Sequence, residues 1–139
     1  MPHPSFHAQV LTPEGEVYDG EVEQVSTRTG VGEVGILAHH APMLARLVPA
    51  ELRLHVSDSE TIRYAQGEGW LEVFANRARV LIAEAIPPDE LDAGDLRERL
   101  EEAEQELSEA DEGSAAHEMA ERQKRRFETF LEIAEGSKQ

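Results

Sequence analysis

The chain has 139 residues, 40% of them apolar and 30% charged, which fits one core with an appendage and excludes a disordered or fibrous protein. Its 13 basic and 29 acidic residues give a net charge of −16, a surface that repels phosphate backbones and anionic headgroups, so neither nucleic-acid binding nor direct lipid insertion is expected. Cysteine is absent, which removes disulfides, thiol nucleophiles and thiolate metal sites, and no apolar run approaches the roughly 18 residues of a spanning helix.

The opening Met1-Pro2-His3-Pro4-Ser5 has no basic flank and no apolar stretch, so a secretory signal is not expected there. Phe6-His7-Ala8-Gln9-Val10 alternates as a strand does, and Thr12-Pro13-Glu14-Gly15 supplies turn residues. Val22-Glu23-Gln24-Val25-Ser26-Thr27 predicts the next strand. Gly30, Gly32 and Gly35 then bracket Val31, Val34, Ile36 and Leu37. Residues 43–48 follow, and Leu52-Arg53-Leu54-His55-Val56 alternates strictly. The turn Ser57-Asp58-Ser59-Glu60 sends Thr61-Ile62-Arg63-Tyr64-Ala65 back as a hairpin partner. Gly67-Glu68-Gly69 leads into Trp70-Leu71-Glu72-Val73-Phe74, and Asn76-Arg77 reverses the chain into residues 78–83. Short strands at intervals of about 8–12 residues, each punctuated by Gly, Pro, Asn or Asp, predict an antiparallel β-sandwich or barrel over residues 1–86.

Pro87-Pro88 marks a change of period and charge. Residues 1–86 carry 12 acids and 6 bases, whereas 87–139 carry 17 acids and 7 bases. Leu96, Leu100, Ala103, Leu107 and Ala110 recur at helical spacing, with Asp89 or Asp92 placed to cap the helix. Asp111-Glu112-Gly113-Ser114 breaks the pattern, Gly113 suiting a left-handed turn and Ser114 the next cap. Ala116, Met119 or Ala120, Gln123, Phe127, Phe130 or Leu131, and Ala134 form the second stripe. So short a break predicts an antiparallel helical hairpin over 87–139, and an α+β chain as a whole. Glu118 and Glu121 stand four residues before Arg122 and Arg125, in the favourable orientation for ion pairs.

Catalytic signatures are missing: there is no G-x-x-x-x-G-K-[ST], no G-x-S-x-G and no H-E-x-x-H. Gly30-Val31-Gly32-Glu33-Val34-Gly35 matches a dinucleotide spacing by letter only, since no helix follows it. His39, His40 and His55 invite a metal reading, but adjacent histidines on one loop seldom converge on an ion, and a structural or interfacial role is expected. No catalytic residue, cofactor site or metal site is therefore assigned.

Gly32-Glu33-Val34-Gly35-Ile36-Leu37 followed by His40-Ala41-Pro42-Met43-Leu44 resembles a G-E-x-G-I-x-x-x-H-A-P-x-L block. Residues 69–76 with Val80-Leu81-Ile82-Ala83 resemble a second block, G-G-x-x-E-V-x-x-N-x-V-x-V-L-A, and residues 6–19 a first hairpin. In this order and spacing, over about residues 5–135, they are similar to the epsilon subunit of F-type ATP synthases. That resemblance implies a non-catalytic subunit in the central stalk of a proton-translocating rotor, part of a peripheral complex on the cytoplasmic side of an energy-transducing membrane. It implies a sandwich bound to the gamma subunit and the c-ring, and a helical hairpin that folds down or extends to inhibit ATP hydrolysis. By position, Glu33 in a Gly32–Gly35 loop matches the c-ring contact. His40, Ala41 and Pro42 match the adjacent turn on the gamma and c-ring side, and Arg122, Lys124, Arg125 and Arg126 match the helix that meets acidic segments of the catalytic alpha and beta subunits.

Two departures from the family pattern matter. Ala38-His39 stands where Pro-Gly is usual, so altered backbone angles are expected at that turn. Some bacterial members bind ATP through [IL]-D-x-x-R-A, but Leu91-Asp92-Ala93-Gly94-Asp95-Leu96 puts Asp95 at the arginine, and a carboxylate repels phosphate. Arg97 and Arg99 project from other faces of the helix, so weak or no ATP binding is expected. The rival readings are a free-standing ligand-binding sandwich with a dimerisation hairpin, which requires an aromatic-lined pocket, and a metal-dependent cupin-like enzyme.

Overall fold

Alternation of apolar and polar side chains gives the first strand, β1 (Phe6–Thr12), one buried face of Phe6, Ala8 and Val10 and one half-open face of His7 and Gln9. The same logic repeats through β2 (Gly15–Val22), β3 (Gln24–Thr29), β4 (Gly32–Leu37), β5 (Met43–Leu47), β6 (Ala50–Ser57), β7 (Glu60–Gln66), β8 (Gly69–Phe74), β9 (Arg77–Ile82) and β10 (Ala85–Ile86). The computed structural model describes residues 3–136. Met1 and Pro2 of the opening stretch, and the last three positions of the 87–139 segment, lie outside the described residues.

The ten strands form one hydrogen-bonded network, folded at a corner within β3. One edge of β3 pairs with all of β4; the other pairs with β6 through Gln24 to Ser26 and with β5 only at Thr29–Leu47. That single link lets the sheet turn from a layer containing β4, β3, β6, β7 and β10 into one containing β5, β8, β9, β1 and β2. Both layers supply the core: Val25, Ile36 and Leu54 from the first, Val10, Leu71 and Val80 from the second. This is the expected sandwich, with one difference. β1 runs antiparallel to β2 but parallel to β9, because it is inserted between its own hairpin partner and a strand some 70 residues later. The segment read as one strand over 22–27 is broken at Glu23, where β2 ends and β3 begins. β2 was anticipated only as part of the first hairpin over residues 6–19, since it mixes glycine, acids and tyrosine without clean alternation, and the two-residue β10 was not foreseen.

One polar side chain belongs to this core. Gln66 is wholly buried; its Oε1 accepts the Thr27 hydroxyl at 2.6 Å and its Nε2 donates to the Val48 carbonyl at 2.8 Å. Both ends of the amide are thereby satisfied, as burial demands.

The chain divides into two compact units, the second beginning at Pro88. A 3-10 turn (Pro88–Glu90) precedes α1 (Ala93–Glu109) and α2 (Ala115–Gly136). Of the two capping candidates, Asp92 is the cap: its carboxylate accepts the Asp95 backbone N–H at 3.1 Å. Gly113 takes φ +82°, and Ser114 Oγ accepts the His117 N–H at 3.1 Å to start α2. Arg97, near the start of α1, pairs at 3.1 Å with Glu135, near the end of α2, so the helices run antiparallel. The buried residues among those described are Ala93, Leu96 and Ala103 on α1, and Ala120, Phe127, Phe130 and Ala134 on α2. Four of these seven are alanine, and Leu96, Phe127 and Phe130 supply the bulk of the seam.

Candidate functional site

The tip of the β3–β4 hairpin is built by Thr29, whose hydroxyl accepts the Val31 N–H at 3.2 Å and donates to the Gly32 carbonyl at 3.0 Å. Gly32 sits at φ +136°, open only to glycine at low strain, and Val31 at the apex is fully exposed. Glu33, read from sequence as a loop residue, lies on strand β4 directly opposite Arg28, and their side chains pair at 3.0 Å.

At the other end of β4, the His39 backbone takes φ +63°, the left-handed region a glycine would occupy freely. The anomalous residue keeps a glycine-like turn, and the reason is visible. Its N–H donates to Asn76 Oδ1 at 2.6 Å across 37 positions of sequence. Asn76 itself belongs to the two-residue β8–β9 turn, where Ala75 and Asn76 both have positive φ as a type I′ hairpin requires. His40 is half-buried, its N–H bonded to the Leu37 carbonyl at 3.2 Å and its Nδ1 donating to the Ala41 carbonyl at 2.7 Å; Ala41 and Pro42 are exposed. Glu33 and the His40-Ala41-Pro42 turn therefore stand toward opposite ends of β4, Glu33 lying four residues, about 13 Å of extended strand, before Leu37.

The second layer presents the outer face of β5, β8 and β9. Register puts Arg46 beside Trp70 and Trp70 beside Leu81, with Leu11 of β1 continuing the row. Leu44 (68% exposed), Phe74 (65%), Trp70 (48%) and Leu81 (38%) project from this one face. The sequence reading named these segments as strands without assigning their outward side chains a role. The signal was the parity of the alternation, which places Trp70 and Phe74 opposite the buried Leu71 and Val73. Arg46, Glu72, Arg77 and Arg79 stand among them on the same face.

Two depressions among the described residues are poor in aromatic side chains. One of about 240 Å³ is lined by His7, Gln9, Glu72, Phe74, Arg77 and Arg79, with Phe74 as its single aromatic; another of about 380 Å³ beside Thr12, Glu16 and Glu84 has none. Among the described residues no three His, Cys, Asp or Glu side chains gather as metal ligands. His55 lies on β6, Nε2 at 3.1 Å from Ser26 Oγ, and burial, then the nearby Arg53 and Arg63, holds its pKa below the usual histidine value.

On α2 the four basic residues do not share one face. Arg125 pairs with Glu121 at 3.5 Å and Lys124 with Glu128 at 4.0 Å. Arg126 is half-buried, donates to Gln123 Oε1 at 2.6 Å, and lies 4.8 Å from the Phe127 ring centroid and 5.8 Å from that of Phe130. Arg122 is exposed and has an interaction of its own. On α1, Asp95 binds Arg99 Nε at 2.8 Å, which holds the Arg99 guanidinium firmly charged. Asp95 thus places a carboxylate, paired with Arg99, at the position where a phosphate-binding arginine was sought. No helix among the described residues is long and apolar enough to cross a membrane.

Comparison with known proteins points one way. Residues 5–88 match the family described as ATP synthase, Delta/Epsilon chain, beta-sandwich domain. The ATP synthase epsilon chain of Persephonella marina is 39% identical over 130 residues, covering 93% of this chain and 96% of that one. The epsilon chain of Halalkalibacterium halodurans is 34% identical, covering 94% and 98%. Among solved structures, a chain of the Euglena gracilis mitochondrial ATP synthase OSCP/F1/c-ring assembly is similar, with a TM-score of 0.82 at 26% identity, covering 95% of this chain and 82% of that one. A chain of the Tetrahymena thermophila mitochondrial ATP synthase central stalk and c-ring shares the fold, with a TM-score of 0.62 at 15% identity over 95% of this chain and 98% of that one.

Proposed function

The chain belongs to the epsilon-chain family of F-type ATP synthases, and from that premise we propose which of its surfaces meets which part of the rotor. It is a non-catalytic accessory subunit of the central stalk. Its sandwich docks on the gamma subunit through the outer face of β5, β8 and β9, where Leu44, Trp70, Phe74 and Leu81 stay uncovered in the free chain. That exposed row is the observation that carries the reading. An aromatic anchor seated in a partner contributes about 2 kcal/mol or more, and a two-layer core beneath it makes a body stiff enough to pass torque. The β3–β4 tip, with Val31 at its apex and Glu33 behind it, faces the polar loops of the c-ring, and the His40-Ala41-Pro42 turn faces gamma. The neighbouring Euglena and Tetrahymena assemblies both include a c-ring, which agrees with this arrangement. The complex holds the chain peripherally, on the cytoplasmic side of the membrane.

The hairpin restrains ATP hydrolysis. Four of the seven buried residues of its seam are alanine, and an acidic groove on the catalytic alpha and beta subunits competes for α2. On extension Arg122, Lys124, Arg125 and Arg126 exchange the short-range partners seen here for carboxylates of those subunits. The test is hydrolysis by the assembled complex with and without residues 88–139. Truncation is expected to raise hydrolysis while leaving gamma binding intact. Unchanged hydrolysis defeats the inhibitory role, and failure of the full chain to bind gamma defeats the docking reading.

A further inference from the structure

The geometry points to Asn76 as the positioning residue for the gamma-side turn, an inference that rests on the docking just proposed. Two tight turns from distant parts of the chain meet at this end of the sandwich. Each contains a non-glycine residue at positive φ: His39 at +63° in one, Ala75 at +52° and Asn76 at +61° in the other. Such backbone is costly for a residue with a Cβ and persists only where surroundings over-determine it. For Ala75 and Asn76 the β8–β9 pairing does so, because Phe74 and Arg77 are locked in register and leave two residues to close the hairpin. Nothing comparable encloses His39. It follows the end of β4, is exposed, and lies in the five-residue link of residues 38–42 to β5. What holds it is the 2.6 Å hydrogen bond from its N–H to Asn76 Oδ1, together with the bond from the His40 N–H to the Leu37 carbonyl.

Asn76 is thus tied to the sheet by its own backbone and extends its amide oxygen to fix the neighbouring turn. Because the left-handed angle at His39 sets the direction of the chain that follows, the amide of Asn76 governs where Ala41 and Pro42 are presented. The turn is preformed, and docking need not order it, which lowers the entropic cost of association. Asn76 acts through the backbone of residues 39–42 and itself need not touch the partner.

The experiment uses the full chain with two substitutions, Asn76→Gly and Asn76→Asp. Glycine keeps the left-handed hairpin turn and removes the acceptor oxygen; aspartate keeps the oxygen. Amide hydrogen exchange at His39 is measured on the free chain, and affinity for purified gamma subunit on the same samples. Asn76→Gly is expected to speed exchange at His39 about tenfold and weaken gamma binding by a similar factor, while Asn76→Asp restores both. Unchanged His39 exchange in Asn76→Gly overturns the proposal, as does lost protection with undiminished affinity. Failure of Asn76→Asp to restore binding also overturns it, since a general loss of packing would not be repaired by one oxygen. If the wild-type chain does not bind gamma, the docking reading fails, and Asn76 is judged on His39 exchange alone.

Discussion

Replacing Gln66 by methionine isolates what a buried amide contributes to the sandwich. Methionine matches glutamine in length and flexibility, so cavity formation is minimal and the change is mainly in polarity. Two hydrogen bonds disappear, the Thr27 hydroxyl at 2.6 Å and the Val48 carbonyl at 2.8 Å, each worth about 1 kcal/mol net. Thr27 is buried, so its hydroxyl is also left without a partner, adding about 1–3 kcal/mol; the extra apolar burial of methionine returns about 1 kcal/mol. The expected destabilisation is about 2–4 kcal/mol, or roughly 10–20 °C in Tm for a domain of this size. Urea unfolding followed by Trp70 fluorescence reads the sandwich directly, because Trp70 lies on β8. In the methionine background Thr27→Val should cost nothing or stabilise, whereas in the wild-type background it should cost about 1–2 kcal/mol. A methionine variant within about 0.5 kcal/mol of wild type, or strictly additive substitutions, refutes the account.

Three further outcomes are expected. Gly69→Ala should destabilise by more than about 2 kcal/mol, since a Cβ there runs into the Leu81 carbonyl oxygen and the Ile82 Cα, forcing β8 from β9; thermal melting checks it. His55 has a folded pKa below 6.5, so the unfolded chain binds more protons as pH falls below that value. Stability attributable to His55 is therefore complete above pH 6.5 and lost as pH falls toward the folded pKa, and His55→Gln should flatten that part of the wild-type profile in urea titrations at each pH. Calorimetric titration with ATP should show affinity weaker than millimolar, while Asp95→Arg, which also frees Arg99, should strengthen it; tight binding by the wild type contradicts the charge argument.

Much of this protein is written in its local sequence. Alternation in Leu52-Arg53-Leu54 or Val80-Leu81-Ile82 marks strands because a pleated chain must send neighbouring side chains to opposite faces. Asp92, Gly113 and Ser114 announce helix ends because capping is satisfied within three or four residues. The ordered blocks around Glu33, His40 and Trp70 identified the family, and with it the sandwich followed by a hairpin. What local pattern does not contain is which distant segments meet. The parallel pairing of β1 with β9, the corner at Thr29–Leu47, the amide of Gln66 reaching Thr27, and the grip of Asn76 on His39 each join residues 18 to 70 positions apart. Glu33 moved from loop to strand for a local reason: its β3 partner Arg28 lies five residues back across the same tight hairpin. The four basic residues of α2 read as one cluster in sequence; in the helix Arg125 and Lys124 pair with Glu121 and Glu128, and Arg126 lies over the rings of Phe127 and Phe130. Short-range preferences act through a residue's own neighbours, whereas long-range contacts exist only once the whole chain has closed around its core, and that closure decides which surfaces remain for partners.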